Sequence, residues 1–131
     1  MRYFKFWNVL ILGLGICLAG CAAQNKVLPL HDEVLTFKLP YDLTYLRTEE
    51  ALERVDGWEL QLTEKEKGVI VVRNISYSSG DDADRREATI WVKRIGPRAT
   101  SVQLAPESQR VLGGGKLLER VSQYLDQELN K

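Results

Sequence analysis

The sequence predicts an α+β fold: an antiparallel sheet of about four to five strands with two helices packed on one face. Three observations lead there. Apolar and polar residues alternate in several short runs between residues 34 and 104. Helical spacing appears in two separate stretches. The later runs are joined by short turns, which impose antiparallel pairing, and helices then cover one face of the sheet. The predicted order is β-α-β-β-β-β-α.

The first strand is read in Val34–Leu39, where Leu35, Phe37 and Leu39 alternate with Thr36 and Lys38. Pro40 to Val55 then reads as a helix. Pro40 suits a first turn, where the missing amide hydrogen costs little, and Asp42 is an alternative N-cap. Tyr41, Tyr45, Thr48, Leu52 and Val55 share one helical face, while Glu49, Glu50 and Glu53 fall on the others. Gly57 is placed to end the helix in a left-handed conformation.

Four strands in a meander follow. Trp58, Leu60 and Leu62 alternate with Glu59, Gln61 and Thr63, which predicts a single dry face. Glu64 to Gly68 forms a charged turn. Val69 to Val72 is apolar on both faces, as in an interior strand. The segment Ser78–Asp84 is a loop. Ala88, Ile90 and Val92 alternate with Thr89, Trp91 and Lys93, and Gly96-Pro97-Arg98 turns the chain towards Val102 and Leu104. Gly113-Gly114-Gly115 reads as a hinge before a closing helix, Lys116 to Leu129. Leu118, Val121, Leu125 and Leu129 line the dry face of that helix, with Leu117 and Tyr124 beside it.

The chain divides into residues 1–20, 21–33 and 34–131. The first segment has the three parts of a secretory signal: Arg2 and Lys5, the apolar run Val9 to Ile16, and small residues ahead of Cys21. The uncharged stretch between Lys5 and Lys26 is also long enough for an uncleaved membrane anchor. Three interior glycines and the polar Gln24-Asn25 weigh against that alternative. Either reading puts residues 34–131 outside the cytoplasm.

Leu18-Ala19-Gly20-Cys21 resembles the bacterial lipobox. The resemblance implies a diacylglyceryl group on Cys21, peptidase recognition of Leu18, Ala19 and Gly20, and cleavage before the cysteine. Membrane attachment through the lipid follows. Ala22 resembles the residue of lipoproteins sorted to the outer membrane, so the expected location is that membrane, facing the periplasm. Residues 21–33 would then be the lipidated N-terminus and a tether.

The mature segment Pro40-Tyr41-Asp42-Leu43, Ala51-Leu52-Glu53, Gly57-Trp58-Glu59-Leu60 and Lys67-Gly68-Val69-Ile70 is similar in pattern to helix-grip lipoprotein domains. Those include the domains of the outer-membrane assembly lipoprotein BamC and of several small lipoprotein families. A helix-grip-like fold and an accessory role at an outer-membrane complex are what that similarity implies.

Composition excludes several functions. The 131 residues carry a formal net charge of zero; without residues 1–20, 16 cations face 18 anions. A nucleic-acid binder would show a basic excess. The two cysteines are Cys17 and Cys21, so removal of the leader and acylation leave no free thiol. The sole histidine, His31, sits in the tether without metal-ligand spacing and reads as a solvated linker residue. Asp81, Asp82 and Asp84 are closely spaced but lack the pattern of a calcium loop, and Arg85 and Arg86 offset them. Gly113-Gly114-Gly115-Lys116 lacks the hydroxyl residue of a phosphate loop.

No catalytic residue, metal or cofactor is therefore expected. The expectation is a noncatalytic binding or structural module with an envelope protein partner. Val69, Val71 and Trp91 form a candidate partner face on the side of the sheet away from the helices. The alternative is a carrier or sensor of a small apolar ligand, in a cavity lined by Tyr45, Trp58 and Leu125.

Overall fold

The computed structural model describes residues 28–76 and 86–131. The leader, Cys21 with its flanking Leu18, Ala19, Gly20 and Ala22, and the acidic loop of Asp81, Asp82 and Asp84 lie outside the described residues. Five strands form one antiparallel sheet: β1 (Leu35–Phe37), β2 (Trp58–Glu64), β3 (Val69–Asn74), β4 (Glu87–Gly96) and β5 (Ala99–Leu104). Their order is β1-β5-β4-β3-β2, so β2 to β5 are the expected meander and β1 closes its β5 edge. Helices α1 (Tyr41–Glu53) and α2 (Gly114–Leu129) complete the α+β fold. No helix among the described residues is long and apolar enough to cross a membrane.

Alternation puts Phe37, Ile70, Val72, Ala88, Ile90, Val92, Val102 and Leu104 on one sheet face, where they are buried in one cluster with the helices. Each fully buried aliphatic chain contributes about 1.5–3 kcal/mol. Helix α1 supplies Tyr45, Ala51 and Leu52; Val55, just beyond its end, is buried too. Helix α2 supplies Leu117, Leu118, Val121 and Leu125.

Helix α1 begins one residue later than expected. Pro40 is extended (φ −60°, ψ 150°), and its carbonyl accepts from both the amide and the hydroxyl of Thr44, at 3.0 Å each. Asp42 is in the first turn, not at the cap. Thr48 is fully buried because its hydroxyl donates to the Thr44 carbonyl at 2.7 Å. The helix ends at Glu53, with Arg54 as its cap, and Gly57 is left-handed at φ +83° in the turn into β2.

The two helices run antiparallel and are joined by polar side chains. Arg47 contacts Glu50 at 2.6 Å and Glu128 at 3.5 Å, and the Tyr124 hydroxyl donates to Glu50 at 3.2 Å. The Arg47 hydrogen bond holds Glu50 below the usual carboxylate range; a bond from Lys131 does the same for Glu128.

Three expectations are corrected. Leu62 is not on the dry face: the ladder shifts between Leu60, opposite Val72, and Leu62, opposite Val71. This bulge takes up Gln61 and turns Leu62 onto the open face, where it is 45% exposed. Leu129 is the last residue of α2 and is exposed, whereas Leu117 is fully buried. The three glycines are a packing saddle. Gly113 is left-handed (φ +82°) against the Trp58 ring, and a Cβ on Gly114 would sit 3.0 Å from a Leu104 methyl.

The strand directions define two ends. At one, here the Leu28 end, β2 and β4 begin, β3 and β5 finish, and α2 starts. At the other, the hairpin end, lie the β2–β3 and β4–β5 connections and the start of α1.

Candidate functional site

The open face of the sheet is built by the alternation that builds the core. Val69 pairs with Trp91, and Val71 with Thr89. Trp91 also pairs with Gln103, and Val71 with Leu62. Directly opposed residues share a face. The expected residues Val69, Val71 and Trp91 are thus brought together, all half-buried, on the side away from the helices. The bulge adds Leu62, which alternation placed in the core. No residue signal marks that bulge; strict period-2 counting fails wherever one residue is inserted.

Lys93 holds its ammonium 4.3 Å from the centre of the Trp91 ring. On the helix side of the same strand, the Arg94 guanidinium lies 5.2 Å from the centre of the Tyr41 ring. Neither cation forms a salt bridge among the described residues. Aromatic faces fix their positions without neutralising them. Sequence reasoning did not single out this pair; two consecutive cations at the end of a predicted strand are the signal that could have found it.

Around Arg94 is an open cleft of about 620 Å³ lined by Tyr41, Asp42, Lys65, Glu66, Lys67, Val92, Lys93 and Arg94. Asp42 pairs with Lys65 at 2.8 Å, which lowers the carboxyl and raises the ammonium pKa. The Tyr41 hydroxyl donates to the Lys65 carbonyl, and burial raises its own pKa. A shallower groove of about 140 Å³, lined by Lys67, Gly68, Val69, Trp91 and Lys93, adjoins the open face.

Gly68 shapes both places. It is left-handed (φ +67°), its carbonyl accepts from the Val92 amide at 2.8 Å, and a Cβ would lie 2.1 Å from the Val92 oxygen. The neighbouring Val69 carbonyl accepts from the Tyr45 hydroxyl at 3.0 Å. Burial pushes that phenol up to about 12. Helix α1 therefore pins the start of β3.

Tyr45, Trp58 and Leu125 are 3%, 8% and 0% exposed and belong to one packed core among the described residues; Tyr45 also borders an open groove of about 460 Å³ with Leu43, Leu46 and Glu49, which neither Trp58 nor Leu125 lines. His31 is not a free linker residue. Its amide donates to the Gln109 carbonyl at 2.8 Å, its ring is 3.4 Å from Glu33, and it lies across Gly115. Arg110 donates to the Leu28 carbonyl at 2.9 Å. Residues 28–33 are a strap docked on the start of α2. Among the described residues, no group of three or more His, Cys, Asp or Glu is placed to hold a metal ion. Set beside known proteins, the chain matches no family model and no curated sequence.

Proposed function

We propose that this chain is a lipid-anchored envelope protein, a noncatalytic binding or structural module that offers the open face of its sheet to a protein partner. Anchoring is through lipid on Cys21, with Leu18, Ala19 and Gly20 read by the signal peptidase. The location is the outer membrane, facing the periplasm, as an accessory to a protein complex there.

The observation that carries the binding role is the strip of Leu62, Val69, Val71 and Trp91 on the uncovered sheet face. Large aromatics on a rigid sheet act as interface anchors because they bury much area at low entropic cost. Trp58 and Leu125 are packed in the core and do not share the open groove that Tyr45 borders, which supports a surface role over that of a carrier with a cavity between those three residues.

Crosslinking in intact membranes tests the reading. A partner captured by the native chain should be lost with Trp91→Ala while the thermal transition of that variant stays near the native one. Capture that is indifferent to Trp91→Ala removes the face from consideration. Separately, Cys21→Ala should abolish acyl labelling and leave precursor; normal labelling would falsify the anchor.

A further inference from the structure

We propose that the Leu28 end of the domain is itself a lipid-contacting surface, laid against the bilayer that holds the acyl chains of Cys21. The inference rests on the lipid anchor proposed above, and it adds which side of the domain meets the membrane.

Eight large hydrophobic side chains are exposed among the described residues. Leu30, Val34, Ile75 and Leu112 all lie at the Leu28 end, 47%, 53%, 61% and 47% exposed. They come from three separated parts of the chain: the strap, the end of β3 and the turn before α2. Packing brings Leu30, Ile75 and Leu112 along one rim, and Val34 precedes β1 at the same end. The Ile75 amide donates to the Gly57 carbonyl at 2.8 Å, Trp58 follows Gly57, and the Trp58 ring lies against Gly113, beside Leu112. On the other side of that turn, Gly115 carries the ring of His31, next to Leu30.

The length of chain beyond Leu28 identifies what covers this rim. Cys21 is seven residues from Leu28. Fully extended, that segment reaches about 25 Å at most. The docked strap prevents residues 28–33 from lengthening it, because the His31 amide and the Leu28 carbonyl are both bonded to the domain. A lipid at Cys21 therefore keeps this end within about 25 Å of the headgroups, and exposed apolar side chains at that end enter the interfacial layer favourably. The opposite end exposes Ile95 at 57%, but sets it among exposed Lys38, Lys65, Lys67, Lys93, Arg94 and Arg98, with Asp42, Glu64 and Glu66 between them. Three separate chain segments bring apolar side chains to the Leu28 end, against one charged hairpin at the other.

The test uses the processed, acylated full chain in vesicles of phosphatidylethanolamine and phosphatidylglycerol doped with brominated phosphatidylcholine. After processing, Leu112→Cys supplies the free thiol for an environment-sensitive fluorophore, and Ile95→Cys is the matching site at the hairpin end. The Leu112→Cys probe should shift to the blue and lose about half its emission to bromine, while the Ile95→Cys probe is unchanged. Equal solvent exposure at both sites in an acylated sample overturns the inference and leaves the anchor standing. A Leu112→Cys probe that is shielded but not quenched by bromine also overturns it, in favour of a protein cover. An unacylated chain overturns the anchor and this inference together, and acyl labelling of the same sample tells the cases apart. In the acylated chain, Leu30→Ser with Leu112→Ser should lower quenching at an Ile75→Cys probe by threefold or more.

Discussion

Gly68→Ala is the substitution that best tests how the turn beneath the candidate site is held. The left-handed backbone at φ +67° costs an L-residue about 1–2 kcal/mol. The added methyl carbon would lie 2.1 Å from the Val92 carbonyl oxygen, which is backbone in a central strand and cannot rotate away. The turn must therefore lift, and the Val92 amide to Gly68 carbonyl bond of 2.8 Å lengthens or breaks, at about 1 kcal/mol more. The total is about 3 kcal/mol. For a domain of this size that is a fall in Tm of about 12–24 °C, read by calorimetry or near-ultraviolet circular dichroism. Gly68→Asn separates the two causes. Asparagine tolerates left-handed backbone but still brings a Cβ, so it should be nearly as destabilising as alanine. Asparagine restoring native stability would refute the steric argument, and alanine within 1 kcal/mol of native would refute the whole reasoning.

Three further outcomes are expected. Tyr45 is protonated more tightly in the folded chain, at about 12 against about 10 unfolded, so its contribution is full below pH 10 and is lost as the pH rises towards 12. Tyr45→Phe should cost about 1 kcal/mol at neutral pH and flatten that alkaline fall in a urea-unfolding series. Glu50 and Glu128 are held below the usual carboxylate range, so their contribution is present above the unfolded pKa and disappears as the pH falls through the folded values; Arg47→Met should weaken this acid dependence in thermal melts from pH 6 to pH 2. Gly115→Ala gains up to about 1 kcal/mol in helix preference but places a methyl 2.4 Å from the His31 ring. Hydrogen exchange at the His31 amide should then quicken while global stability holds, and unchanged protection of that amide would show that the strap does not depend on the glycine.

The fold was legible wherever one physical preference acted alone. Ala88, Ile90 and Val92 alternate cleanly because β4 is flanked on both sides and regular there, and all three are buried as read. Leu118, Val121 and Leu125 follow helical spacing and are buried too. Legibility failed where tertiary contact overrode local pattern. Leu62 looks like the third member of an alternating run, but the extra residue at Gln61 reverses its face. Gly113-Gly114-Gly115 looks like a hinge because glycine permits freedom; here it permits proximity, to Trp58, Leu104 and His31, none of which is near in sequence. The candidate site was half legible for the same reason. Val69, Val71 and Trp91 follow from strand period, whereas the placing of Lys93 and Arg94 over aromatic rings depends on which side chains the sheet and α1 bring alongside.

The two proposed surfaces constrain each other through the length of β4. Its ten residues span about 33 Å from Glu87 at the Leu28 end to Gly96 at the hairpin end. Trp91 lies midway along it and Lys93 and Arg94 beyond, whereas Val71, opposite Thr89, is only about 7 Å from Glu87, so the strip runs from near the Leu28 end up to Trp91. A partner on the open face would then approach from the side, with its farthest contacts at Trp91 and beyond. Lys93 and Arg94, which form no salt bridge among the described residues, would meet whatever part of that partner extends farthest from the membrane, and an acidic segment there is the complementary chemistry. Charge reversal at Lys93 should therefore slow partner association and reduce its salt dependence, whereas Trp91→Ala should chiefly speed dissociation. Stopped-flow association at two ionic strengths distinguishes them. Equal effects of both substitutions on dissociation would mean that the cation and the ring act as one contact and not as a steering rim beside an anchor.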